Sequence, residues 1–170
     1  LRATAPAALV PLAWTFAAAA HAGLLTPHTV LVGHVVMTAL LVAFAGLSWR
    51  EMRADSVLRA WLGVVVAGIP ITVAGGYGVA TGKPLGTHVA VFGWMLLPAL
   101  ALVPTARRVG GPGGLDVRYA LAATLSGLGA VLFGLVAVVD LPATLVAIAL
   151  VGVGQTLSIV VAVWDAELAD

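Results

Sequence analysis

The sequence predicts an all-α membrane protein, a single domain over residues 1–170 folded as a bundle of six transmembrane helices, from three observations. The composition is 62% hydrophobic and 9% charged with a mean hydropathy of +1.14, which leaves too little polar surface to coat a soluble globule. The charged residues gather in short clusters, and the apolar stretches between them suit the hydrocarbon core of a bilayer, which a helix crosses in about 20 residues. Basic residues alternate between connections: Arg2, Arg50, Arg53, Arg59, Arg107, Arg108 and Arg118 fall on one side of a six-span chain, and Lys83 on the other. Because positive charge is retained on the cytoplasmic side, both termini are expected to face the cytoplasm in a multi-pass plasma-membrane protein.

The elements follow in order. Leu1–Ala22 carries a basic residue, an apolar run and an Ala-His-Ala ending. It has the outline of a signal peptide and equally of a span; we assign it to helix 1, which Pro6 and Pro11 shorten or kink. Helix 2 covers Thr29–Trp49, entered through Thr26 as cap and Pro27 in the first turn. Arg50–Arg59 is too charge-dense to lie in lipid and reads as a turn. Helix 3, Ala60–Ala80, is rich in glycine and holds Pro70, which bends it. Gly68, Thr72, Gly76 and Ala80 recur at fourfold spacing and form a smooth stripe. Such a stripe packs a neighbouring helix closely or lies flat against a planar cofactor, and it places helix 3 at the centre of the bundle.

Helix 4 starts after Lys83, Pro84 and Gly86 and reaches Pro104. A loop with Arg107, Arg108 and a Gly/Pro-rich turn leads to helix 5, Tyr119–Val139, which Asp140 and Pro142 end. Helix 6 covers Ala143–Trp164. Small residues again form stripes, Ala122, Ser126, Ala130 and Gly134 on helix 5 and Gly154, Ser158 and Ala162 on helix 6.

Several chemistries are excluded at once. The chain has no cysteine, so disulfides and thiolate metal sites do not arise. Its formal charge of +1 shows no basic face suited to nucleic acid. No P-loop, dinucleotide turn, HExxH or GxSxG is present.

The histidines carry the functional signal. His34 lies inside the apolar run of helix 2, and ionisable residues at membrane depth are usually paired or functional. His21, His28, His34 and His88 all fall in the outer half of the six-span arrangement. Met37 is three residues from His34, Met95 is seven from His88, and Trp94 is deep enough to line a pocket. A set of His and Met at one membrane face can hold haem iron or copper. The metal candidates are His34, His88, His21 and His28; the cofactor contacts are His34, His88, Met37, Met95, Trp94, Gly75 and Gly76. Against this stand plainer roles: solvated histidines at helix ends, methionines as gap fillers, and Trp14, Trp49, Trp61 and Trp164 as interfacial anchors.

His88-Val-Ala-Val-Phe-Gly-Trp, continuing through Met95 into LLPALAL, resembles the His-x-x-x-x-Gly helix starts of membrane haem proteins of the nitric oxide reductase and haem-copper oxidase group. Gly33-His34-Val-Val-Met37, continuing to AFAGLSW, is similar to a histidine-bearing helix of that group. The two pieces cover about a quarter of the chain. The chain has fewer histidines and spans than those catalytic subunits, so the resemblance implies at most one haem or metal site, built from His34 and His88, with Thr38 and Thr87 to satisfy the second ring nitrogens. The expected function is b-type-like electron transfer in the bilayer. The alternatives are an accessory or assembly subunit packed against other subunits of a membrane complex and, less readily, a small transporter.

Overall fold

Short polar caps and a glycine set several of the helix ends. The computed structural model describes residues 5–111, 114–139 and 141–169, and these form α1 (Ala5–His21), α2 (Pro27–Ala54), α3 (Ser56–Thr81), α4 (Pro84–Val109), α5 (Val117–Val139) and α6 (Thr144–Ala169), with no strand among the described residues. Five of them, α2 to α6, are long and apolar enough to cross a membrane, and α1 is a shorter apolar helix of 17 residues. The expectation of an all-helical membrane bundle holds, with five spans rather than six meeting that standard.

Thr26 caps α2 as its position suggests: its hydroxyl accepts from the Thr29 amide at 3.2 Å, and Pro27 takes the first turn. The α2–α3 connection differs from the expected turn. α2 runs on through Arg50, Glu51 and Arg53, good helix formers free to leave the bilayer in helical form, and stops only at Asp55. The Asp55 carboxylate accepts from the Val57 and Leu58 amides at 2.7 and 3.0 Å and so starts α3 one residue later. Gly82, at φ 66°, closes α3 in the left-handed conformation that glycine adopts without cost. α3 continues as helix through Pro70, and α4 through Pro98 and Pro104. Asp140, expected to end α5, lies outside the described residues.

The helices pack in the order α2, α3, α4, α5, α6, α1, with α4 also touching α6. α4 is therefore the central element, and the expectation for α3 is corrected. The reason lies in the burial of α4: Met95 and Leu102 are fully buried, each in one of two apolar clusters. One cluster joins Met95 to Trp14, Phe133, Ile148 and Val151; the other joins Leu102 to Tyr119, Ala122 and Val161. The α5 stripe packs as expected through Ala122, Ser126 and Ala130, and a Cβ at Gly154 would meet Ser126 Oγ at 2.6 Å. On α6 the contact continues to Ser158, while Ala162 is exposed.

Candidate functional site

At the depth of the bundle centre the polar side chains form one hydrogen-bonded chain across four helices. It begins with a proline. Pro98 lacks the amide that would bond the Trp94 carbonyl four residues earlier, and Gln155 of α6 supplies the missing donor, Nε2 to Trp94 O at 3.0 Å. The other end of that amide, Oε1, accepts from Trp14 Nε1 of α1 at 2.9 Å. Trp94 in turn donates Nε1 to Thr72 Oγ1 of α3 at 2.9 Å, and Thr72 donates to Gly68 O at 2.8 Å. Every named donor and acceptor has a partner, as burial in an apolar medium demands.

This network revises two expectations. Trp14 is a buried core residue rather than an interfacial anchor, because its indole N–H has a buried acceptor to reach. Trp94 fills space rather than lining it: its ring lies over Gly68, where a Cβ would come within 2.5 Å. Trp49 and Trp164 are exposed near helix ends, as anchors should be. Trp61 donates to Thr105 Oγ1 at 3.3 Å, and Thr105 donates to Ala101 O at 2.8 Å, which repeats the Trp-to-Thr-to-carbonyl relay at the other end of the α3–α4 pair.

The four histidines separate into distinct settings. His34, half-buried on α2, sets its ring into the notch of α3: a Cβ on Gly75 would lie 2.5 Å from His34 Nε2 and 2.6 Å from the Ala90 side chain, and one on Gly76 would lie 3.3 Å from His34 Cβ. Gly75 and Gly76 thus receive the imidazole; of the expected stripe, Gly68 and Thr72 meet Trp94 of α4, Gly76 meets His34 of α2, and Ala80 is exposed. His88 stands elsewhere. Its ring centroid is 6.2 Å from that of Phe133 on α5, and the His21 centroid is 6.1 Å from the same ring in an edge-on arrangement. Residues 88 and 90 project in nearly opposite directions from a helix, so His34, which abuts Ala90, and His88 lie on opposite sides of α4. His34 thus packs toward α3 and His88 toward α5. His28 is exposed at the start of α2.

Three of the rings share one detail. His21, His34 and His88 each place Nδ1 at 2.8–2.9 Å from the carbonyl four residues earlier, those of Ala17, Val30 and Pro84. A carbonyl only accepts, so Nδ1 carries the proton and a neutral ring presents its lone pair on Nε2. The threonines expected to serve these nitrogens do not: Thr38 donates to His34 O and Thr87 to Pro84 O. At His34 the Nε2 edge is pressed against α3; at His21 and His88 the rings are exposed. Met95 is fully buried in the cluster that contains Phe133, and Met37 is half-buried. Among the described residues no group of three or more His, Asp or Glu side chains converges on a metal-sized point.

Sequence reasoning missed Gln155 and Thr72 as the polar centre. The signal available was Pro98 on a buried helix, which frees the Trp94 carbonyl for a donor from elsewhere. No family model, curated protein or solved structure matches this chain.

Proposed function

We propose that this protein is a membrane electron-transfer protein or subunit that takes haem iron or copper at its outer end through the Nε2 atoms of His88 and His21. The observation that supports this reading is their shared setting: the two rings come from α4 and α1, flank the buried Phe133, and each commits Nδ1 to its own helix. Ligating imidazoles characteristically donate their second nitrogen to a carbonyl or carboxylate, which orients the ring and raises its basicity. Imidazole suits both metals. The resemblance of the His88 segment to helix starts of membrane haem proteins adds to the case for His88. The pair originally expected, His34 with His88, is replaced because α4 stands between them.

The metal, when bound, supplies the one-electron chemistry. The chain's own residues orient the two imidazoles, and Phe133, 5% exposed, gives an apolar floor beneath them. The reading includes six spans, α1 among them, and cytoplasmic termini. α1 is about 26 Å long at the helical rise, and a bilayer thins locally around a short span. The alternation of Arg-rich and Arg-poor connections supports the orientation.

A second reading, an accessory subunit of a membrane complex, is favoured by the interior, where Trp14, Thr72, Trp94 and Gln155 are used on one another and His34 on the glycine notch. Optical spectra of the purified protein, oxidised and reduced, with metal analysis, separate the two. A Soret band or stoichiometric copper that is lost in both His88→Ala and His21→Ala, and kept in His34→Ala, supports the first reading. Absence of both metals supports the second, and loss in His34→Ala alone refutes the assignment of ligands.

A further inference from the structure

The end of the bundle opposite the histidines carries most of the charge. Arg50, Arg53 and Arg59 flank the α2–α3 connection, and Arg107 and Arg108 close α4. Between the first turns of α3 and the last turns of α4 runs a groove of about 190 Å³, lined by Ser56, Val57, Ala60, Pro104, Thr105 and Arg108. We infer that this groove seats an anionic phospholipid, with its phosphate against Arg108 and Ser56 and the start of an acyl chain along Val57, Ala60 and Pro104.

Four features point to that occupant. The first is an uncommitted cation. Both ion pairs among the described residues belong to Arg118, with Asp116 and Asp165, and neither Arg107 nor Arg108 takes part in one. The second concerns Asp55, a carboxylate that feels Arg108. Asp55 is committed to the amides of Leu58 and Val57, which hold its pKa below the usual carboxylate range, and Arg108 contributes least to that shift. The third is the division of the lining. Thr105 spends its hydroxyl on Ala101 and Trp61, so polar recognition falls to Ser56 and Arg108 at the rim while Val57, Ala60 and Pro104 form an apolar wall. A free anion has no use for that wall. The fourth is depth: exposed Trp49 and Trp164 lie near this end, and indoles collect where headgroups meet hydrocarbon. Basic pockets between spanning helices at this level are suited to anionic headgroups.

The test is native mass spectrometry of the full chain in detergent, titrated with phosphatidylglycerol or with phosphatidylcholine of the same acyl chains, and with inorganic phosphate as competitor. The first bound lipid should be phosphatidylglycerol by about fivefold, the effect of one basic residue at an anionic surface. Arg108→Gln should abolish the preference by removing the charge, and Ala60→Leu by filling the wall. Arg50→Gln, on a residue outside the groove, should leave it unchanged. Arg108→Gln alone decides the matter if Ala60→Leu lowers the thermal unfolding midpoint. Equal binding of the two lipids, a preference that survives Arg108→Gln, or displacement by inorganic phosphate would each overturn the inference.

Discussion

Replacing Gln155 with Leu removes both hydrogen bonds that tie α6 to α1 and α4 while keeping a side chain of similar length. Trp14 Nε1 then has no acceptor and the Trp94 carbonyl, already without its helical donor because of Pro98, loses its substitute. Interhelical hydrogen bonds in membranes contribute about 0.6 kcal/mol each on average, so the pair contributes about 1.2 kcal/mol. Two buried groups left unpaired add desolvation cost that reaches about 1–3 kcal/mol for one group, offset where a chain unfolded in the membrane finds other partners. The expected loss is about 1–3 kcal/mol, measured by reversible unfolding in mixed micelles. The decisive comparison is the double variant Gln155→Leu with Pro98→Ala. Alanine at 98 restores an amide opposite the Trp94 carbonyl, so Gln155→Leu should cost less in that background, with a coupling of about 0.5 kcal/mol or more. A cost below about 0.5 kcal/mol in the wild-type background, or strict additivity in the double variant, would refute the account of Gln155 as the partner of a proline-freed carbonyl.

Three further outcomes are expected. Gly75→Ala forces a Cβ against His34 Nε2 and Ala90 and should cost about 1–3 kcal/mol by overpacking, whereas Gly76→Ala, with 3.3 Å to His34 Cβ, should cost less; the same micelle unfolding compares them, and His34→Ala should relieve only the part of the Gly75→Ala defect that the imidazole causes, the contact with Ala90 remaining. Ser126 Oγ is fully buried without a hydrogen-bond partner, so Ser126→Ala should be neutral or stabilising by up to about 1 kcal/mol, and clear destabilisation would reveal an acceptor. Asp116 is held below the usual carboxylate range, first by its hydrogen bond from the Arg118 guanidinium and then by the amides of Tyr119 and Arg118. A depressed folded-state pKa contributes stability that is present above the unfolded value and is lost as pH falls through the folded one. Acid titration of unfolding should therefore show a loss that begins near the ordinary carboxylate range and continues below it, and Asp116→Asn should remove that limb.

The one-dimensional pattern sufficed where the physics is local or set by the solvent. A run such as Val30–Trp49 must be helical in lipid because each backbone group has to find its partner within the segment. Thr26 and Pro27 announce the start of α2 because a cap acts on amides two or three residues away. The end of α2 was less legible. Arg50–Arg53 had to leave the lipid, but a helix can extend into water, and only the competition of the Asp55 side chain for the next amides stops it.

The site was the hardest to read, for the same physical reason. His34 and His88 look equivalent along the chain, each near the start of an apolar helix with a methionine further on. Which of them meets a cavity, a glycine notch or a neighbouring ring depends on the rotation of α2 and α4 about their axes and on which helix becomes the neighbour of which. Composition and spacing determined an all-α chain with several membrane-spanning helices, the Thr26–Pro27 start of α2 and the small-residue stripes of α3 and α5. The tertiary packing alone decided that α4 is central, that the Gly75 notch holds His34, that His21 joins His88 at Phe133, and that Gln155 answers the carbonyl released by Pro98, because these depend on contacts between residues 41 to 141 positions apart.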